Sequence, residues 1–265
     1  MPVIAGNGTQ KRTRQLTVRT LDNEQIQTFD AEYVDVDRWG AIKAQIDVDF
    51  PDGDFTFLDI GGGNGSFTDR VLSVYPKARG TVLDNSELLL SKNRPNDRKS
   101  LLLKSAEDLA SVEGSFDMIS CNWVLHHLVD SSYEKSRQHQ LGSLRQMKRL
   151  LTKRGRISIF ENNYAGFIHP GLPGRIIYEV TSSKLLAPMS RRLGANTAGV
   201  GVCFLSKDQW LKTLERAYLG VRAYAEPDKW RWPVKWYARA PLFLKGIVAG
   251  HYWIAPTGAM GSARA

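Results

Sequence analysis

The chain has 265 residues, 42% of them hydrophobic, with a formal net charge of +9. That is enough for one large domain with a full core, or one domain plus an elaboration. Its two cysteines, Cys121 and Cys203, exclude a disulfide framework and a zinc site, and no apolar run approaches the ~20 residues that span a bilayer.

The longest candidate span, Ala240 to Gly250, is interrupted by Pro241 and Lys245. A basic chain admits nucleic acid, anionic lipid or an acidic substrate as partner. Here the basic residues are dispersed, apart from Lys11-Arg12-x-Arg14 and one C-terminal stretch, and read as a solvated surface. The first ten residues hold no signal-peptide core, so a soluble cytoplasmic protein is expected.

Residues 1–15 read as a disordered tail. From about Thr20 to Ile46 the chain is expected to form one or two helices, with Ile26, Phe29, Tyr33, Val36 and Trp39 as apolar positions. Phe55 to Ile60 is an apolar run containing Asp59, followed by Gly61-Gly62-Gly63-Asn64-Gly65 and a helical stripe from Phe67 to Tyr75. This predicts a strand, a tight turn and a helix N-terminus. Glycines permit positive φ and close approach of a ligand, and the helix N-terminus offers unpaired N–H groups. Arg79 to Asp84 predicts a second strand ending in an acid, followed by a short helix at Ser86–Leu90. Asp84 is therefore a ribose ligand or a helix cap.

A third strand is expected at Lys99–Lys104 and a fourth at Phe116–Asn122, running into Trp123-Val124-Leu125-His126-His127-Leu128. Tyr133 to Leu151 predicts a long amphipathic helix stopped by Gly155. Arg156 to Phe160 predicts a fifth strand that delivers Glu161 and Tyr164 to the same edge. Strand and helix alternate throughout, which argues a parallel sheet with helices on both faces. Ala165 to Ser206 breaks the alternation, with one helix expected at Arg175–Leu186. Ser206 is expected to cap another helix, and Val221–Tyr224 and His251–Ala255 to be the last two strands. Between them, Trp230-Arg231-Trp232-Pro233-Val234-Lys235-Trp236-Tyr237 is of the kind that stacks bases, sits at a lipid interface or forms a plain surface hairpin.

The glycine turn fails the dinucleotide pattern Gly-x-Gly-x-x-Gly in both registers, because the sixth position is Ser66 or Thr68. What it shows is Asp59-x-Gly61-x-Gly63-x-Gly65. That spacing resembles motif I of the class I S-adenosylmethionine (SAM) methyltransferases. The resemblance extends over about Tyr33 to Pro256. It implies an α/β fold: a Rossmann-like, mainly parallel seven-stranded sheet with helices on both faces and a lid insertion after strand five. The parts are then a tail with capping helices (1–50), a SAM-binding core (51–164), an acceptor lid (165–206), the C-terminal part of the core sheet (207–256) and a tail (257–265).

The resemblance also implies the site. Asp59, Gly61, Gly63 and Gly65 lie under the cofactor's amino-acid end, with Asn122 at the neighbouring strand end. Asp84 and Asn85 lie at the ribose. Ala106 and Glu107, in Ser105-Ala106-Glu107-Asp108-Leu109, lie at the adenine. Tyr33 covers the pocket or packs in the core. The acceptor is a small molecule, with an oxygen acceptor favoured. His127, and after it His126, is the expected proton acceptor, since histidine suits that task near neutral pH, although the pair can also merely pack and line the pocket. Glu161 and Tyr164 are alternates. No paired metal-ligand acids are evident, and nothing resembles an Asn-Pro-Pro-Tyr motif, so neither a metal nor a nucleic-acid target is expected. An RNA or peptide methyltransferase and an inactive partner subunit are the competing readings. Peripheral membrane contact stays open, as does a dimerisation role for 165–206.

Overall fold

The structure, a computed structural model, describes Arg19 and residues 34–192, 194–227 and 239–258. Tyr33 and the Trp230–Tyr237 stretch lie outside the described residues. Among those described, seven strands form one sheet: β1 Thr56–Ile60, β2 Arg79–Asp84, β3 Lys99–Leu103, β4 Phe116–Asn122, β5 Leu151–Gly166, β6 Leu219–Ala225 and β7 Leu244–Pro256. Their order is β3-β2-β1-β4-β5-β7-β6. The first five pair in parallel, and β7 runs antiparallel to both β5 and β6. The expected mainly parallel seven-stranded α/β sheet is what the chain forms.

The two faces follow from side-chain alternation along each strand. Leu58, Ile60, Ile119, Cys121, Ile157 and Ile159 point to one side, under α4 Tyr133–Arg149 and α7 Lys207–Arg216. Phe57, Met118, Phe160 and Trp253 point to the other, under α1 Val36–Asp49 and α2 Ser66–Val74. The short α3, Glu87–Leu90, is capped by Ser86, whose hydroxyl accepts from Leu89 N–H. The reading of Asp84 as that helix's cap is thus taken over by its neighbour. Trp39 packs edge-on against Phe67 at 6.2 Å, a core contact joining α1 to α2.

Three boundaries differ from expectation. Helix α4 ends at Arg149, and Leu151 already pairs with Phe116 in the sheet. Gly155 is no helix stop: it lets the chain fold tightly on itself, since a Cβ there would lie 2.7 Å from Leu151 Cβ and 2.9 Å from the Thr152 carbonyl. Strand β5 continues to Gly166, and β7 begins at Leu244, so the two form a ribbon that outruns the rest of the sheet. The segment after β5 carries two helices, α5 Leu172–Ser182 and α6 Ala187–Arg192, where one was expected. No helix among the described residues is long and apolar enough to cross a membrane.

Candidate active site

The glycine turn sits at the C-terminal end of β1, where open parallel sheets bind ligands. Gly61, Gly63 and Gly65 have φ of 69°, 49° and 76°, values that only glycine adopts without cost. Gly65 leads into α2 with no side-chain cap of its own, and Asn64 Oδ1 accepts from the Ser66 N–H at 3.0 Å. Asp59 lies beneath the turn. It is 2% exposed, and its carboxylate accepts from Thr68 Oγ1 at 2.8 Å and Ser120 Oγ at 2.9 Å. One buried acid therefore ties β1 to α2 and β4. Burial pushes its pKa up to about 6, against the lowering effect of those two hydroxyls.

Sequence reasoning passed over Gly62, which has no room for a side chain either. A Cβ there would lie 2.5 Å from Asp59 Oδ2, 2.8 Å from its Cγ and 2.9 Å from Val82 Cγ1. The signal was the unbroken Gly61-Gly62-Gly63, of which the motif explains two.

Asp84, at the end of β2, accepts from Gly63 N–H at 3.0 Å and Ser86 N–H at 2.8 Å. Burial raises its pKa above the ordinary value, although these N–H groups and that of Asn85 oppose the rise. It thus shapes the turn while facing the same space, with Asn85 exposed beside it. Asn122, at the end of β4, has a buried Oδ1 with no hydrogen-bond partner among the described residues. A buried acceptor left unpaired at the end of β4, the strand beside β1, suits a hydrogen-bond donor from outside the chain.

The adenine-side residues fall differently. The Ala106 carbonyl accepts from Ser143 Oγ at 2.8 Å. Glu107 turns toward His139 on α4, with 3.5 Å between Oε1 and Nδ1, and His139 Nε2 lies 2.9 Å from Asp130 Oδ2. Burial pushes Glu107 up to about 7, while His139 pulls it down and Asp130 pushes it further up.

After β4 the chain turns sharply at Trp123, whose φ is 55°. The turn is held by Trp123 N–H on the Phe160 carbonyl at 2.9 Å, by its indole N–H on Asn162 Oδ1 at 3.0 Å, and by ring stacking on Phe160. A non-glycine residue in this region is strained, and strain of this kind gathers at functional sites. Val124 packs onto Gly61, with its Cβ 3.3 Å from where a Gly61 Cβ would stand. The histidine loop and the glycine turn are therefore in direct contact.

His126 is 6% exposed and fixed by Glu161, itself fully buried on β5. Its Nδ1 lies 2.8 Å from Glu161 Oε2, and its backbone N–H reaches Oε1 at 3.3 Å. Its ring stacks on Phe204 at 4.7 Å and lies 4.1 Å from the ring of His127. Phe204 in turn stacks on Tyr164 at 4.3 Å. Two of the four candidate catalytic residues, His126 and Tyr164, thus stack on one phenyl ring supplied by the 165–206 segment, and the other two, Glu161 and His127, lie against His126. Burial, then the charge of His126, holds the His127 pKa well below its ordinary value. Burial raises that of Tyr164.

Gln140 has no signal in the sequence, where it reads as a surface position of an amphipathic helix. It is fully buried, and its Nε2 donates to the carbonyls of Leu125 at 3.1 Å and Cys203 at 2.8 Å. Together with the Cys203 N–H on the His126 carbonyl at 2.8 Å, it clamps the histidine loop to the end of the insertion.

Residues 58–159 match a family model described as a methyltransferase domain. A search of curated protein sequences gives no match. Among solved structures, the chain is similar to the mitomycin 7-O-methyltransferase MmcR, at 17% identity and a TM-score of 0.50, over 83% of this chain and 56% of that one. It is similar to a SAM-dependent methyltransferase of Leishmania major, at 12% identity and a TM-score of 0.53, over 88% and 82%. LepI, in complex with SAM, aligns at 16% identity and a TM-score of 0.50, over 77% and 43%. The chain thus spans little more than half the length of MmcR and less than half that of LepI. At such identities the likeness is one of fold.

Proposed function

We propose that the chain transfers a methyl group from SAM to an oxygen of a small, largely apolar acceptor, a reading supported by the match of residues 58–159 to the methyltransferase-domain model and by the fold likeness to a SAM-dependent methyltransferase. The observation that carries this reading is one shared sheet edge. A glycine turn pinned by Asp59 and Asp84 lies on β1 and β2, and a buried His126–Glu161 pair lies on the adjoining β4 and β5. Neighbouring strands stand about 4.8 Å apart, so the two halves of the site are within a small molecule's reach.

When bound, SAM supplies a methyl group already activated on a sulfonium. The residues here fit it. Asp84 keeps lone-pair capacity beyond the N–H groups of Gly63, Asn85 and Ser86 and suits ribose hydroxyls. Asn122 Oδ1 suits the ammonium, and the glycine turn leaves room for the amino-acid end. Asp59 stays below the turn as its brace. Glu107, engaged with His139, positions the adenine loop.

On the acceptor side, Glu161 holds the Nδ1–H of His126, leaving Nε2 to take the hydroxyl proton, and it offsets the imidazolium charge that follows. His127, its ring 4.1 Å from that of His126, walls the pocket. The protonated phenol of Tyr164 is a donor, and Phe204 and its segment close the acceptor side as a lid. Holding the acceptor oxygen in line with the methyl group supplies much of the remaining acceleration.

The test uses methyl-labelled SAM and a panel of phenols and other hydroxyl compounds. His126→Ala should lower kcat by roughly 10²–10⁴ with SAM affinity intact, and Glu161→Gln should lower it by less. His127→Ala should stay within several-fold of the unmodified rate. Full activity of His126→Ala would leave positioning alone as the mechanism and remove the base.

A further inference from the structure

The ribbon formed by β5 and β7 ends in a tip that the interior does not explain. Gly166 pairs with Leu244, and Phe167 N–H donates to the Phe243 carbonyl at 2.9 Å, so residues 166–168 and 243–245 make one surface. Phe167 is 69% exposed, Ile168 73% and Phe243 43%. Two cations stand beside them. Arg239 donates to the carbonyls of Lys245 at 2.6 Å and Leu244 at 3.5 Å, and Lys245 itself is exposed. No Asp or Glu occurs between residues 162 and 178 or between 239 and 258.

We propose that this tip docks the protein on an anionic lipid surface. Large apolar side chains clustered in water mark an interaction site. Two cations beside exposed apolar side chains, with no acid in either segment, select a partner that is apolar inside and negative at its boundary, which describes an anionic bilayer. The net charge of +9 acts in the same direction at long range. Gly166 lies five residues beyond Glu161 on the same strand, about 16 Å at roughly 3.3 Å per residue. A docked tip therefore holds the acceptor side of the site close to the lipid headgroups. Joined to the methyl-transfer reading, and resting on it, this makes the acceptor an amphiphile dissolved in the membrane. The docking itself does not depend on that reading.

The experiment is co-sedimentation of the full chain with vesicles of phosphatidylcholine alone and of phosphatidylcholine mixed with phosphatidylglycerol. Binding should favour the anionic vesicles and weaken as salt rises. Lys245→Glu should lower partitioning roughly five- to twenty-five-fold, and the triple change Phe167→Ser, Ile168→Ser, Phe243→Ser by at least about tenfold. A polarity-sensitive dye on Ile168→Cys should shift to the blue on anionic vesicles only. SAM calorimetry on the same variants should be unchanged, which keeps a failed docking distinct from a failed cofactor site. Equal binding to both vesicles, wild-type binding by the triple variant, or an unmoved dye would overturn the proposal. So would a concentration-dependent dimer, indifferent to vesicles, that the triple change dissolves; the tip would then be a contact between two copies.

Discussion

Gly62→Ala places one methyl group against the buried acid that braces the glycine turn. The new carbon would stand 2.5 Å from Asp59 Oδ2 and 2.9 Å from Val82 Cγ1, inside any real carbon contact. Val82 is fully buried in β2, and Asp59 is held by Thr68 and Ser120, so neither can step aside freely. Forcing a methyl group into such a space costs about 1–3 kcal/mol. Displacing the carboxylate from one of its hydroxyls strands a buried polar group, at about 1–3 kcal/mol more. The expected loss is therefore about 2–6 kcal/mol. Gly40→Ala is the control, because an added Cβ at this exposed α1 position meets nothing within 4 Å. Better helix propensity should stabilise that variant by up to about 1 kcal/mol. Urea unfolding at constant m reads both. A wild-type midpoint for Gly62→Ala, with SAM affinity unaltered, would show that the turn has slack and refute its bracing by Asp59.

Asp59→Asn tests the same brace through pH. The carboxyl's pKa rises from 3.8 to about 6 on folding, so the folded state holds its proton more tightly. Its contribution is fully present below about pH 4 and is lost as pH rises through about 6. At 1.36 kcal/mol per pKa unit, the rise corresponds to about 3 kcal/mol. Asp59→Asn should therefore gain on the wild type, by up to that amount, between pH 4 and pH 8 in urea titrations; a constant difference across that range would contradict the burial cost. Phe204→Ala removes the ring on which His126 and Tyr164 stack. It should raise the acceptor KM and lower kcat while leaving SAM affinity within about twofold; an effect confined to SAM binding would place Phe204 on the wrong side of the site.

The core of the fold was legible because local signals agreed there. Strand, acid, glycines and helix follow one another from Thr56 to Val74, and the strand–helix alternation runs on to Glu161. The ends of β5 and β7 were not. Asn162, Asn163 and Gly246 break the apolar alternation, and the ribbon is held by pairing with a strand some 80 residues away, which no local window registers. Leu150 and Leu151 continue the apolar stripe of α4, yet Leu151 is taken by Phe116. Placement at the sheet edge was legible where a single strand carries the residue, as for Asp84 on β2 and Glu161 on β5. It was hidden where a side chain answers a distant partner: Gln140 on the Cys203 carbonyl, Glu107 turned to His139, and Gly62 against Val82.

Isothermal calorimetry of the purified chain with SAM is the most direct test of the central claim. The account predicts a single saturable site. It predicts that Asp84→Ala weakens binding roughly ten- to 150-fold, the loss of hydrogen bonds to a charged group, and that Gly63→Val abolishes it, since its φ of 49° excludes a β-branched residue. NAD should give no heat. Absence of SAM binding by the wild type, or normal affinity in both variants, would contradict the account at its foundation.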